Sequence, residues 1–395
     1  MKKLISLILS CILLLGTTIP VFAEKEGNSK AENYFNTLSA NEVDLECNLT
    51  GAYLCEASTG KVLYAQDEFK AASPASVTKI MTLLLVCEAL ESGRFNLTDT
   101  VRISAKAASM GGSQVFLEEG EKITVEELIK AAIISSGNDA SVALAELTAG
   151  SESAFVNLMN KRAAELGLKN TNFENATGLD DTTTKHYSCA ADIATMSREL
   201  ISHDIILKYS SIWQDTIRNG EFTLTNTNRL VRYYEGCNGL KTGSTEKAGF
   251  CVSVTAERDG MTLICVIMGA ETRDIRNAEA TRLLDWGFAT YGLFHQDGGS
   301  LPPLPVTGGR LDAVTLNYPP FNCVLPKADI AAVESSVSLP PSVSAPIRAG
   351  EAVGKLTYTL RGETIGEVPI SASQTSERLG YGGLWLRMLR MILGA

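Results

Sequence analysis

Histidine is scarce in this chain, and no segment is rich in lysine and arginine. The three histidines, His186, His203 and His295, are isolated and form no H-x-x-x-H pattern, so neither a metal site nor a histidine-dependent catalytic triad is indicated. A nucleic-acid partner requires a concentrated basic face, whereas the formal net charge is −10. We therefore predict no metal, no cofactor and no nucleic acid.

A run of about 20 apolar residues, long enough to span a bilayer, is also missing. The chain starts with two lysines, an apolar run of about a dozen residues and small residues at the cleavage positions. This pattern predicts a secretory signal peptide over residues 1–23, followed by a polar leader over residues 24–43. The protein is therefore expected to be exported.

Cysteine usage does not identify the function. Removal of the signal peptide, which contains Cys11, leaves eight cysteines at irregular spacings. An even number in an exported protein permits disulfides, but no small-scaffold framework is present, so buried free thiols are at least as consistent with the sequence.

What the sequence contains is a helical block between strand patterns. Strands are predicted on both sides of Thr59–Gly60 and again around Asp259–Gly260, with a closing helix over Glu279–Tyr291. Between them, apolar residues at helical spacing predict helices over Ser76–Glu91, Val125–Ser135, Ala140–Thr148, Ala154–Leu166 and Ala190–Ile201. This order predicts an α/β (α+β) domain over residues 44–297 whose first and last parts share one sheet.

The residue composition and the hydrophobic pattern change at residue 298. Proline and glycine separate short period-two segments over residues 298–380, which predicts a small all-β domain, a β-sandwich. Residues 381–395 place Arg387, Arg390 and Gly394 on one stripe of an otherwise apolar helix, which suits the membrane interface. The alternative is a terminal helix docked on the β domain.

Residues 73–82, SPASVTKIMT, carry the first candidate chemistry. Ser76 is expected in or just before the first turn of an apolar helix, with Lys79 one turn further on the same face. A serine becomes a nucleophile when a base takes its proton, and a buried lysine with a lowered pKa can be that base. Ser-x-x-Lys also occurs at 58–61 and 244–247, but in a turn and in a polar stretch. The alternative is that Ser76 only caps the helix and that the side chain of Lys79 reaches solvent.

Two further motifs follow in order. Ser136 and Asn138 lie on a predicted tight corner between helices. Lys241, Thr242 and Gly243 are predicted immediately before a strand, where glycine lets a ligand approach and a lysine with a hydroxyl can hold a carboxylate. Each motif alone is compatible with an ordinary cap or turn, but their joint occurrence is hard to attribute to chance.

Ser-x-x-Lys, Ser-x-Asn and Lys-Thr-Gly, in that order, form the set used by penicillin-recognising serine enzymes. With the segments NATGLDD and HYSCAADIA, nearly the whole chain resembles the D-alanyl-D-alanine carboxypeptidases, the low-molecular-mass penicillin-binding proteins. The resemblance implies the penicillin-recognising serine enzyme fold, with a sheet flanked by a helical block, a small C-terminal all-β domain and a terminal amphipathic helix. In that family the helix is a monotopic anchor on the outer face of the cytoplasmic membrane.

The resemblance also implies a reaction. The enzyme would remove the terminal D-alanine from peptidoglycan stem pentapeptides through an acyl-enzyme on Ser76, and β-lactam antibiotics such as penicillin would acylate the same serine. Lys79 would act as the base, Ser136 with Lys241 would relay protons, and Asn138 would hold the substrate's peptide amide.

The substrate's terminal carboxylate would be bound by Lys241 and Thr242, helped by Arg276. Gly243 would permit the close approach, and the backbone N–H groups of Ser76 and Ser244 would form the oxyanion hole. Some relatives carry histidine at the position of Ser244.

Three alternatives share parts of this pattern. A D,D-endopeptidase would cut peptidoglycan crosslinks with the same residues, and a penicillin or cell-wall sensor would lack efficient deacylation. A class A β-lactamase would use a glutamate-activated water. Glu165 is a near miss to such a glutamate, but Gly167 is predicted to end the helix there.

Overall fold

The computed structural model describes residues 43–45, 47–181 and 183–393. The predicted signal peptide, the predicted leader up to residue 42, and Gly394 lie outside the described residues, as does the side chain of Arg390.

Helices and strands are numbered here in chain order. The α-helices of the described residues are α1 Lys79–Glu91, α2 Ala105–Ala108, α3 Val125–Ile134, α4 Asn138–Ala149, α5 Glu152–Glu165, α6 Ala190–Ile201, α7 Asp204–Ser210, α8 Leu230–Tyr233, α9 Arg273–Thr290 and α10 Tyr381–Leu393. The strands are β1 Gly51–Glu56, β2 Val62–Gln66, β3 Thr100–Arg102, β4 Lys122–Thr124, β5 Gln214–Ile217, β6 Phe222–Thr225, β7 Cys237–Thr245, β8 Gly249–Arg258, β9 Met261–Ala270, β10 Tyr291–Gln296, β11 Gly299–Thr307, β12 Ala313–Tyr318, β13 Phe321–Pro326, β14 Val333–Ser338, β15 Val343–Ser344, β16 Ala352–Leu360 and β17 Glu363–Ala372.

The first domain is built on a five-stranded antiparallel sheet of order β2-β1-β9-β8-β7. Strand β1 pairs with β9 along its whole length, so the first and last parts of this domain share one sheet, as the sequence predicts. One face of the sheet packs on the helical block and the other on α9. Gly287 permits the close packing of α9, because a Cβ there would lie 2.8 Å from Leu263 Cδ1 and 2.9 Å from Leu54 Cδ2.

Helix α1 lies at the centre of the helical block. Its residues from Lys79 to Cys87 are all buried, which explains why its apolar residues cover the whole helix rather than one stripe. The predicted helix over Ser76–Glu91 begins differently: residues Ala75–Thr78 form a 3₁₀ turn, and the α-helix starts at Lys79.

One predicted boundary was wrong. The closing helix α9 begins at Arg273, six residues before the predicted Glu279. Its start is fixed by Thr272, whose side chain accepts a hydrogen bond from the N–H of Ile275. The first turns of α9 are polar, so apolar spacing did not reveal them.

The second group of strands has the order β14-β16-β17-β12-β11-β15, and β10 pairs with β13 beside it. Its core is centred on Tyr358, which stacks on Phe321 with ring centroids 4.2 Å apart. Helix α10 follows, and Arg387 contacts this group of strands by donating to the carbonyl of Gly309 at 3.2 Å and by pairing with Asp312. Within the described residues, no helix has the length and apolar character needed to cross a membrane.

Candidate active site

Ser76 lies on a strained turn at the head of α1. The preceding Ala75 has a positive φ of 47°, which is uncommon for a residue with a side chain. Two glycines pack closely against this turn. A Cβ on Gly243 would lie 2.8 Å from Ser76 N, and one on Gly178 would lie 1.8 Å from the carbonyl oxygen of Ala75. The turn is therefore held between two neighbouring backbone segments.

Lys79 is fully buried and makes three hydrogen bonds through its Nζ atom. The partners of Nζ are Ser76 Oγ at 2.9 Å, Asn138 Oδ1 at 2.6 Å and the carbonyl oxygen of Thr177 at 2.9 Å. Burial holds the pKa of Lys79 well below its usual value, and the charge of Lys241 lowers that pKa further. A lysine in this state can be a neutral base next to the serine hydroxyl.

The corner between α3 and α4 contributes Ser136 and Asn138. Ser136 has a φ of 64°, in the left-handed region, and its Oγ accepts a hydrogen bond from Lys241 Nζ at 2.8 Å. Asn138 is the first residue of α4, and its Nδ2 donates to the carbonyl oxygen of Gly111 at 2.7 Å. Both ends of the Asn138 amide are thus engaged within the protein.

Lys241, Thr242 and Gly243 lie inside strand β7, which corrects the prediction that they precede a strand. The segment has two glycines and no apolar alternation, and it is a strand because it pairs with β8 in register from Leu240 to Thr245. The missing side chain of Gly243 lets β7 approach Ser76. Its inferred role in admitting a ligand to the backbone stays a prediction. The strand and the turn form two walls of one site.

Lys241 is buried, and burial together with the charge of Arg276 lowers its pKa to about 7. Besides Ser136, its Nζ contacts the carbonyl oxygen of Thr242 at 2.8 Å. Thr242 Oγ1 donates to Thr227 Oγ1 at 2.8 Å. Two serine–lysine pairs, Ser76 with Lys79 and Ser136 with Lys241, therefore lie side by side in the site.

A cavity of about 570 Å³ opens onto these residues. Among its lining residues are six of the predicted site positions: Ser76, Ser136, Thr242, Gly243, Ser244 and Arg276. The remaining three, Lys79, Asn138 and Lys241, lie behind this lining and are connected to it by the hydrogen bonds described above. The structure thus brings all nine positions together.

Sequence reasoning missed several contributors to the site. The carbonyl of Thr177 contacts Lys79 through the backbone, which has no side-chain signature. The glycine that follows it, Gly178, was the only signal there in the sequence, and it adopts a φ of 84° in the structure. Arg229 and Arg273 line the cavity but belong to none of the three motifs.

His186 was also missed, because it appeared only as an isolated histidine. It is buried, its Nδ1 accepts from the N–H of Glu174 at 3.1 Å, and its Nε2 therefore donates to Thr78 Oγ1 at 2.8 Å. Burial lowers the pKa of His186 to about 4, so the ring is neutral at neutral pH. Through these two hydrogen bonds, His186 links Thr78, in the turn that carries Ser76, to Glu174, three residues before Thr177.

Residues 37–272 match the family described as D-alanyl-D-alanine carboxypeptidase, and residues 296–378 match the penicillin-binding protein 5 C-terminal domain. The chain belongs to the D-alanyl-D-alanine carboxypeptidase family. The D-alanyl-D-alanine carboxypeptidase DacF of Bacillus subtilis is 40% identical to it over 388 residues, covering 96% of each protein.

Two solved structures of this family share its fold over 85% and 62% of this chain. Penicillin-binding protein 5 of Haemophilus influenzae superposes with a TM-score of 0.74 at 31% identity, covering 85% of this chain and 100% of that one. Penicillin-binding protein D2 of Listeria monocytogenes, in its ampicillin-bound form, gives a TM-score of 0.58 at 30% identity, covering 62% of this chain and 100% of that one. The predicted family, fold class and serine carboxypeptidase function are confirmed.

Proposed function

We propose that the protein removes the terminal D-alanine of peptidoglycan stem pentapeptides, with Ser76 as the nucleophile. The observation that supports this assignment is the buried Lys79 Nζ at 2.9 Å from Ser76 Oγ. In the neutral amine, two N–H bonds can donate to Asn138 Oδ1 and to the carbonyl of Thr177, which directs the nitrogen lone pair toward the serine proton. The lysine is thereby preorganised as a base.

The reaction proceeds in two halves. Ser76 Oγ forms a bond to the carbonyl carbon of the penultimate D-alanine while its proton passes to Lys79. The C–N bond to the terminal D-alanine then breaks as the leaving amine takes the hydroxyl proton of Ser136, and the ammonium group of Lys241, whose Nζ lies 2.8 Å from Ser136 Oγ, replaces that proton. Water next attacks the carbonyl carbon of the ester and passes a proton to Ser136 and Lys241. Lys79 returns its proton to Ser76 Oγ as the ester bond breaks, which frees the shortened peptide and Ser76.

The backbone N–H groups of Ser76 and Ser244 are proposed to stabilise the oxyanion. One such donor commonly contributes ~2.7–4 kcal/mol to the transition state. Ser244 lies in β7 and lines the cavity with Ser76, which supports this pairing. The missing side chain of Gly243 allows the two segments to come this close.

The terminal carboxylate of the substrate is proposed to bind between Thr242 and Arg276, with Lys241 adding positive charge. Thr242 and Arg276 line one cavity, and burial together with the neighbouring arginine charges lowers the pKa of Arg276 to about 10, so it remains a cation at neutral pH. For the substrate's peptide amide, Asn138 must exchange its bond to Gly111, because both ends of its side chain are occupied.

We also propose that the protein is exported and that α10 holds it on the outer face of the cytoplasmic membrane. Trp385, Ile392 and Leu393 are each at least 70% exposed, whereas Arg387 is engaged with the strands of the second domain. The full chain should float with phosphatidylglycerol vesicles, and W385S/I392S should not. Equal flotation of both proteins would exclude this role for the apolar face.

Mass spectrometry tests the reaction directly. The mature protein is incubated with a penicillin and, separately, with a peptide ending in D-Ala-D-Ala. A stable penicilloyl adduct on Ser76 with loss of one alanine from the peptide is expected. S76A should show neither, while S58A, in the Ser-x-x-Lys of the β1–β2 turn, should behave as wild type.

Other outcomes identify the alternatives. An adduct without alanine release, followed by cleavage of a crosslinked peptide, would indicate a D,D-endopeptidase. An adduct with neither activity would indicate a sensor, and rapid release of hydrolysed penicillin would indicate a β-lactamase. Absence of any adduct would exclude the assignment of Ser76 as the nucleophile.

A further inference from the structure

A threonine outside the three motifs contacts the proposed carboxylate site. Thr227 lies between β6 and α8 and lines the same cavity as Thr242 and Arg276. Its Oγ1 accepts a hydrogen bond from Thr242 Oγ1 at 2.8 Å. Under the proposed function, Thr242 binds the terminal carboxylate of the substrate. Thr227 is therefore in direct contact with a residue of that site.

The chain around Thr227 is fixed by buried hydrogen bonds. The N–H of Thr227 donates to the carbonyl of Ile134, the last residue of α3, at 3.0 Å. The neighbours Asn226 and Asn228 are 4% and 1% exposed. Asn226 Oδ1 accepts from the N–H of Asn228 at 2.9 Å, and Asn228 Nδ2 donates to the carbonyl of Gly239 in β7 at 2.8 Å. These bonds hold Thr227 against α3 and against the strand that carries its hydroxyl partner.

The two hydroxyl groups differ in how they use their protons. A threonine hydroxyl has one proton to donate and two lone pairs that accept. Thr242 directs its proton to Thr227, whereas Thr227 Oγ1 donates to no acceptor among the residues that the structure describes. An ionised carboxylate only accepts hydrogen bonds. Thr242 can therefore donate to a bound carboxylate only after it turns its proton away from Thr227.

We propose that Thr227 is a positioning residue for the terminal carboxylate of the substrate. When the carboxylate binds, both hydroxyl groups rotate. Thr242 then donates to the carboxylate, and Thr227 donates its own proton to Thr242 Oγ1, so the contact between the two threonines is kept with its direction reversed. Hydrogen bonds in a chain polarise one another, which strengthens the bond to the carboxylate. This inference rests on the proposed function and deepens it.

Paired compounds with and without the carboxylate test this inference. The acylation rate is measured with a penicillin, which carries a free carboxylate, and with the methyl ester of the same penicillin. Thr227→Val removes the hydroxyl with little change in shape. We expect it to lower acylation by the free acid about tenfold, because a hydrogen bond to a charged group is weakened, and to leave acylation by the ester unchanged. T227S keeps the hydroxyl and should restore the wild-type rate.

A double-mutant cycle tests whether Thr227 acts through Thr242. In a T242V background, T227V should cause almost no further loss, since residues that act as a unit are not additive. The matched control is T223V, the same change at an exposed residue of β6, which should keep the wild-type rates with both compounds. An equal loss for the acid and the ester would overturn the inference, because it would indicate a packing role. Additive losses in the double variant would overturn it as well.

Failure of the proposed function has a separate signature. If the wild type forms no penicilloyl adduct on Ser76, the proposed function fails, and peptide binding then tests Thr227 without any chemistry. NMR titration of S76A with an N-acyl-D-Ala-D-Ala peptide and with its C-terminal amide compares a charged terminus with a neutral one. Binding of the free-acid peptide about tenfold weaker in S76A/T227V, with no change for the amide, supports the inference. Equal Kd values for the free-acid peptide in both proteins would overturn it.

Discussion

Lys79 Nζ donates to Asn138 Oδ1 across 2.6 Å, deep in the site. Asn138→Asp would place a carboxylate at this position with almost no change in shape. Because an adjacent negative charge favours the protonated amine, the pKa of Lys79 should rise and less neutral base should be present at pH 7. We expect acylation by a fluorescent penicillin to fall about 100-fold at pH 7.

The pH profile separates this effect from simple damage. In the wild type the acylation rate should rise with pH as Lys79 loses its proton, and in N138D that rise should move to higher pH. An unshifted profile of lower amplitude would mean that the amide acts only by holding the substrate.

Lys241 should reduce stability near neutral pH. Its pKa is about 7 in the fold against 10.5 for an ordinary lysine, so between these values the unfolded chain binds the additional proton. Stability therefore rises with pH in this window, by about 2 kcal/mol between pH 7 and 8.5 from this group alone. Lys241→Met should raise the apparent Tm at pH 7, flatten its pH dependence by about that amount and abolish penicillin binding. The same pH dependence in both proteins would contradict the burial of the charge.

Gly243 should tolerate no side chain. A Cβ at this position would lie 2.8 to 2.9 Å from backbone atoms of Pro74, Ser76 and Val77, so Gly243→Ala must move β7 away from the nucleophile. We expect acylation to fall by at least about 100-fold while the far-UV spectrum is kept. Gly380→Ala, where a Cβ has no atom within 4 Å, is the control and should leave the acylation rate unchanged. Normal acylation of G243A would show that the two walls can separate without loss of activity.

His186 should make the fold sensitive to mild acid. Its pKa is about 4 in the fold against 6.5 for an ordinary histidine, mainly because of burial; Glu174 and Asp180 oppose this shift, and Lys247 adds to it. The unfolded chain binds the additional proton between pH 6.5 and 4, so stability should be lost as pH falls through this window, by about 3 kcal/mol.

His186→Gln removes the titration while keeping a donor for Thr78. The fall in unfolding free energy between pH 6.5 and 4, measured by urea denaturation, should be smaller in H186Q by about that amount. An identical fall in both proteins would assign the acid sensitivity to carboxylates elsewhere.

Much of the fold followed from local patterns. The helix Ala190–Ile201 was predicted to the residue, and the strand pair around Thr59–Gly60 was correct, because apolar periodicity and turn residues coincide there. The start of α9 and the strand character of Lys241 to Gly243 were not predictable in this way. They depend on a side-chain cap in a polar segment and on pairing with β8.

The same distinction, between local patterns and tertiary contacts, applies to the residues of the site. Residues in contiguous motifs, such as Ser76 with Lys79, could be found from their spacing. The carbonyl of Thr177 and the rim arginines Arg229 and Arg273 could not, because they meet the motifs only through the tertiary fold. The division of the two domains at residue 298 stays a prediction.

The pairing of β1 with β9 joins residues more than 200 positions apart. A nascent chain that ends before Met261 already contains both serine–lysine pairs, yet it lacks the strand that holds β8 and β7 against β1. Both serine–lysine pairs are therefore synthesised before the sheet that brings them together can form. During synthesis, the nucleophile is expected to stay inert until β9 pairs with β1 and β8, which delays its reactivity until the fold around it exists.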